Sequence, residues 1–300
     1  MTVYEFWDGI GLSQKHRTQV QKYNYEEREC TRLCELYQKD HGQFFEKVLE
    51  KENSSLWFLW IYSFMACKVF EKYREANIAE EIFWDTFLDI RFWCENAEKE
   101  FGIMGLMEYE WFYRHIDMVL FRLGRLQFEK TEGKDEVIWK EMIDRKVSVI
   151  EKDICDKEDG VYFEKISKMK SDFRILNIHI PQGEPLVWEE CKKSLLMAER
   201  FWGKDTIFVC HSWLLYPGLE PLLEKNPNIK EFRRHFTIVE TDYREREAEW
   251  RVFGKILKNV IDYPQITSLQ KQMKEELLTG KTFGNGWGIL KIQGLLQNVS

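Results

Sequence analysis

His179 closes the run Phe173-Arg174-Ile175-Leu176-Asn177-Ile178-His179-Ile180-Pro181. Alternation at period two sends Leu176, Ile178 and Ile180 to one face of a strand. Phe173, Ile175, Asn177 and His179 share the other face, which turns polar toward Pro181. An imidazole at a strand end, just ahead of a loop, is placed to act as general base toward an amine or hydroxyl. The plainer alternative is a histidine that only bonds the loop. Cys210-His211-Ser212 ends a second such run. Neighbours on a strand point to opposite faces, so His211 and Ser212 cannot form a base–nucleophile pair. No Gly-x-Ser-x-Gly surrounds Ser212. Cys210 as a nucleophile, with His179 across the sheet, stands beside the reading of an inert packing cysteine. Glu240 shares a strand face with Phe236 and Ile238, and a carboxylate kept among apolar groups is a second candidate base. Its plain reading is an edge charge paired with Arg244 or Arg246.

Other chemistries are excluded by spacing. The chain has no His-Glu-x-x-His, no Cys-x-x-Cys and no Glu-x-x-His, so no metal site is expected. Gly280-Lys281-Thr282 resembles the end of a nucleotide-binding loop. That loop needs a glycine five residues earlier, where Glu275 stands.

These residues need elements to hold them. Up to about residue 115 the chain reads as helices: one beginning after Asn53-Ser54-Ser55, one from about Ala79 to Phe101 with Gly102 as its stop, and one from about Leu106 to Leu123. After Gly124 the grammar changes to short β-type runs, at Arg125–Glu129, Val161–Ile166, Phe173–Ile180, Asp205–Ser212 and Phe236–Thr241. Helix-length segments lie near 188–202, 218–235 and 245–260, with a further one from Ser268 to Leu278. The expected fold is α+β: an all-helical N-terminal domain over 1–118, then a mixed sheet with flanking helices over 119–300.

Composition narrows the setting. A net charge of −7, with Lys and Arg interspersed among Glu and Asp, argues against a nucleic-acid partner. The most apolar stretch, Leu56 to Cys67, is too short to cross about 30 Å of hydrocarbon, so no membrane span is expected. The first residues lack the basic start and apolar core of a secretory leader. The 7 cysteines sit at irregular spacings in apolar segments, which suits reduced thiols and a cytoplasmic protein. The many tryptophans before residue 115 read chiefly as core; an aromatic pocket for an acyl chain is the other reading.

Several strings taken together resemble a family of bacterial acyltransferase-domain proteins. They are Leu123-Gly124-Arg125-Leu126-Gln127-Phe128-Glu129, Ile178-His179-Ile180-Pro181, Cys210-His211-Ser212-Trp213-Leu214-Leu215, Asn228-Ile229-Lys230-Glu231-Phe232 and Thr267-Ser268-Leu269-Gln270. The resemblance implies a helical N-terminal domain and a C-terminal domain of the GNAT-like N-acyltransferase fold, which binds acyl-coenzyme A beside a splayed sheet. It implies acyl-CoA as co-substrate and a small-molecule or peptide amine as acceptor. Tyr216 becomes, by analogy, a candidate acid for the leaving thiolate, with His179 or Glu240 as base. The family's pyrophosphate cradle, Gln/Arg-x-x-Gly-x-Gly/Ala, has a counterpart in Lys281-Thr282-Phe283-Gly284-Asn285-Gly286. Lys281 replaces the usual first residue, and the segment leads into a strand-like run instead of a helix. Two alternatives stay open: a non-catalytic binding or regulatory protein on the same fold, and a hydrolase using Cys210 or Ser212.

Overall fold

The computed structural model describes residues 1–23, 25–150, 163–164, 166–167, 173–224, 226–243 and 246–291, with 149 and 150 by backbone only. The chain divides into two compact units, Met1–Leu123 and Gly124–Ser300.

The first unit is built from α1 (Val3–Gly9), α2 (Gln14–Val20), α3 (Glu27–Lys39), α4 (His41–Leu49), α5 (Ser54–Glu75), α6 (Glu80–Phe101) and α7 (Tyr113–Ile116), and it ends in β1 (Leu120–Leu123). Side chains begin several of these helices. Thr2 and Glu5 form a reciprocal cap on α1, and Asp40 ends α3 while accepting the Gln43 amide of α4 at 2.9 Å. Gly102 stops α6 at φ 69°, a left-handed turn that a glycine takes without steric cost. α5 is apolar on most sides because it is buried on most sides, from Leu56 through Tyr73. Phe6, Trp7, Phe44, Phe58, Tyr62, Phe83 and Phe87 fill the core, and the Trp7 indole donates to Ser63 at 2.8 Å. The expected helix over 106–123 is absent. A 3-10 turn at Tyr109–Trp111, the single turn of α7, a left-handed Met118 (φ 57°) and β1 replace it.

The second unit contains β2 (Leu126–Lys130), α8 (Gly133–Ile150), β3 (Arg174–His179), α9 (Trp188–Trp202), β4 (Thr206–Ser212), α10 (Pro227–Arg234), β5 (Phe236–Asp242), α11 (Glu247–Phe253), α12 (Ser268–Leu278) and β6 (Asn285–Leu290). Within this unit the strands form a mixed sheet in the order β2-β3-β4-β6-β5. β3 and β4 run parallel, from Arg174 opposite Thr206 to Asn177 opposite Val209, and α9 makes the crossover between them. The other described pairings, β2 with β3, β4 with β6 and β5 with β6, are antiparallel. In β5 the register slips between Ile238 and Glu240, so Val239 is an extra residue.

One sheet face is covered by α8, whose Trp139, Met142 and Ile143 pack with Ile175, Ile207, Val209 and Ile289. The segment expected as one helix over 218–235 splits into a 3-10 stretch at Pro217–Leu222 and α10, with Pro221 and Pro227 at the break. The expected strand Val161–Ile166 falls mostly outside the described residues, and its described positions 163, 164 and 166 are helical.

Candidate active site

The face carrying α8 turns polar at the C-terminal ends of β3 and β4. Asn177 and His179 share that face with Gln127 and Glu129, which stand opposite them on β2. His179 Nε2 lies 2.7 Å from Glu129 Oε2, and the imidazole is about four-fifths covered, with 22% of its side-chain surface exposed. The strand geometry thus delivers what the alternation of residues 173–180 predicts, an imidazole at a strand end. It adds a carboxylate that holds the ring.

A second imidazole stands on the same face of β4. His211 pairs in register with Trp287 of β6, and their rings stack with centroids 4.0 Å apart at 25°. His211 Nε2 is 2.8 Å from Asp242 Oδ2, the atom that also accepts the Trp287 indole N–H at 2.7 Å. Asn285, nearly fully buried, donates to the other oxygen of Asp242 at 3.4 Å. The role of His211 in this group is not legible in the sequence, where its strand neighbour Ser212 is the residue that invites comparison. Its partner lies 31 residues away and is aimed by cross-strand register. Two buried amide oxygens, Asn177 Oδ1 and Asn285 Oδ1, have no hydrogen-bond partner among the described residues.

The other candidates from sequence lie in different surroundings. Glu240 is not held among apolar groups: 45% of its side chain is exposed, and it pairs with Arg145 at 3.1 Å. Of the two arginines offered as its partner, Arg246 binds Glu249 and Arg244 lies outside the described residues. Tyr216 follows the 3-10 turn Trp213–Leu215, and its hydroxyl is 2.9 Å from that of Tyr243. That bond first, and partial burial second, push the Tyr216 phenol up to about 12. Cys210 is fully buried on the opposite face from His211, and desolvation drives its thiol far up. Such burial disfavours a nucleophilic thiolate, and among the described residues Ser212 Oγ meets no base and instead accepts the Leu214 amide.

The glycine-rich segment has its own geometry. Lys281 is exposed and ion-paired to Glu276. Gly286 lies inside β6, paired with Ser212 on one side and Thr241 on the other. A Cβ on Gly286 would sit 2.4 Å from the Leu215 carbonyl oxygen, and one on Gly284 would sit 2.1 Å from that of Asp242. Close approach of backbone to backbone explains both glycines, and the Gly286 backbone is taken up by the sheet.

Arg125 organises the loop that follows His179. Buried almost completely, it donates from Nη1 to the Pro181 carbonyl at 3.0 Å, from Nε to Pro185 at 3.1 Å and from Nη2 to Glu184 at 2.6 Å. Its backbone N–H is held by Ser194 Oγ of α9 at 2.8 Å. Among the described residues no three His, Cys, Asp or Glu side chains converge as a metal site.

Comparison with known proteins fits this geometry. A family model described as the GNAT-like C-terminal domain matches residues 120–290, and one described as the N-acyltransferase N-terminal domain matches residues 1–118. The chain belongs to this GNAT-like acyltransferase family. Among solved structures, an acyltransferase in complex with decanoyl-CoA and teicoplanin is similar at 17% identity and a TM-score of 0.72, over 97% of this chain and 87% of that one. An acyltransferase mutant in complex with octanoyl-CoA has 17% identity and a TM-score of 0.71, over 96% and 87%. An acyltransferase in complex with CoA and 10C-teicoplanin gives 17% and 0.71, over 97% and 87%. At this identity the likeness is one of fold. None of the curated proteins matches the chain. Within the described residues, no helix is long and apolar enough to cross a membrane.

Proposed function

We propose that the protein is an N-acyltransferase that passes an acyl group from acyl-coenzyme A directly to an amine on a small molecule or peptide. The observation that carries the reading is the Glu129-held imidazole of His179 at the end of β3, in a chain of this family. The amine nitrogen attacks the thioester carbon, and His179 takes its proton as the new C–N bond forms. Glu129 keeps the ring in one orientation for that transfer. The unpartnered oxygens of Asn177 and Asn285 are acceptors for N–H groups of donor or acceptor. The solved relatives hold acyl-CoA or CoA, two of them with a teicoplanin-type ligand, which supports the same substrate classes here. The cysteine pattern and the bacterial proteins that the chain resembles support a bacterial cytoplasm as its setting.

For the coenzyme's phosphates the proposal is Lys281, as a cation beside Gly284 and Gly286. Lys281→Ala should weaken CoA binding by about 1–2 kcal/mol, one charge-assisted hydrogen bond. Calorimetric titration with CoA checks this, and unchanged affinity in folded protein removes the loop from the site.

Two measurements test the function itself. A series of acyl-CoA chain lengths should raise the melting temperature, because a ligand bound only to the native state stabilises it by mass action. His179→Ala should keep that rise yet lose roughly 10²–10⁴-fold in transfer rate. Binding without turnover in the wild type, across a panel of amines, would instead favour the binding-protein alternative.

A further inference from the structure

The arrangement around His211 is more than a strand-end histidine requires for packing. Asp242 fixes its Nε2, the Trp287 ring fixes its plane, and Asn285 in turn fixes Asp242. A carboxylate oxygen only accepts, so Nε2 carries the hydrogen and Nδ1 presents a lone pair. That Nδ1 makes no hydrogen bond to the described residues, and 24% of the side chain is exposed.

Position adds to this. The parallel pairing of β3 and β4 extends to Asn177 opposite Val209. His179 and His211 each lie two residues further on, on the same face. The C-terminal ends of neighbouring parallel strands are where open sheets receive ligands. One oriented imidazole therefore stands on each strand bordering that opening.

We propose that His211 is the second acid–base residue of the reaction, carrying a proton from the acceptor amine to the departing thiolate. The proposal rests on the N-acyltransferase reading. The acceptor arrives as an ammonium and gives its first proton to His211 Nδ1. The freed amine attacks the thioester carbon, forming the C–N bond, and His179 removes the second proton. The C–S bond then breaks, its electron pair leaves with sulfur, and His211 returns its proton to give the free thiol. One proton remains on His179 and passes to water, which balances ammonium and thioester against amide, thiol and H⁺. Tyr216 suits the acid role less well. Its hydroxyl is engaged by Tyr243, and a phenol near 12 gives up its proton less readily than an imidazolium.

The test uses CoA and desulfo-CoA, which lacks only the thiol, and so needs no acceptor. Wild-type protein should bind CoA about fivefold more tightly than desulfo-CoA, the scale of one hydrogen bond. The His211 ring nitrogen signals should move with CoA and stay with desulfo-CoA. His211→Phe, which keeps a ring on Trp287, should bind both equally, and Asp242→Asn should narrow the preference. Equal affinities and unmoved His211 signals in the wild type overturn the proposal while leaving the acyl-CoA reading in place. If neither ligand binds, both fall together.

Discussion

Arg125 shows how one residue can position another by way of a loop. It sits in the Gly124 turn, where φ is +71° and an added Cβ would meet Ser194 Oγ at 3.0 Å. From there its guanidinium gathers the carbonyls of Pro181, Glu184 and Pro185, the residues just past His179. Arg125→Ala strands these carbonyls and should cost about 3 kcal/mol of stability, the upper range for bonds to a charged group. Arg125→Lys keeps the charge but not the fork, and should recover less than half. Urea unfolding of both variants checks this, and full recovery by lysine would show that charge alone suffices. At this scale the sequence was legible where a residue and its surroundings are local, as with His179 ending its alternating strand. Glu129 ends one of the family-like strings, yet nothing in its neighbours shows that it faces His179 from 50 residues away.

Among the elements, β6 is the most constrained. Its Gly286 and Gly288 let the strand lie against Leu215, and a methyl on Gly286 would meet backbone, which cannot move aside as a side chain can. Gly286→Ala should therefore cost about 1–3 kcal/mol, the usual range for overpacking. A melting curve indistinguishable from the wild type would refute the close approach. Elements with strong local patterns were readable: α9 spans Trp188–Trp202 and α12 spans Ser268–Leu278, both as their apolar spacing predicts. The stretch 106–123 misled because Trp111, Phe112, Ile116, Val119 and Leu120 fall at helical spacing. Long-range contacts overrode that spacing. The amide of Arg122 in β1 bonds Thr86 Oγ1 at 2.9 Å, a partner 36 residues away that no local pattern announces.

For the molecule as a whole, acid should be more damaging than mild base. Burial is the main cause that lowers His16 and His235 from the ordinary 6.5. Below that value the unfolded chain takes up protons that the native imidazoles resist, so their contribution is complete above pH 6.5 and is lost as pH falls through it. The urea midpoint should be lower at about pH 5.5 than at about pH 7.5, and His16→Gln should blunt the difference. An unchanged midpoint would count against neutral, buried imidazoles. Thiol chemistry gives a second global check. Cys30, Cys34, Cys94, Cys191 and Cys210 are buried, and desolvation raises each of their thiols. Iodoacetamide should leave all five unmodified in native protein and label them in denaturant, as mass spectrometry would show. Rapid native labelling of Cys210 would restore the thiol hydrolase.

The register of β5 past its extra residue makes the site sensitive to insertion in a way that substitution scans do not sample. Ile238 faces Gly288, but Glu240 faces Trp287, so Val239 advances the strand by one position before Asp242 is reached. Removing Val239 would take out only this unpaired residue and leave Glu240, Thr241 and Asp242 opposite Trp287, Gly286 and Asn285. Adding a residue between Glu240 and Thr241 would instead put Thr241 opposite Asn285, and the carboxylate that holds His211 would point away from it. Among related chains, the spacing from Glu240 to the acidic residue is then a stronger marker of a working His211 than overall identity.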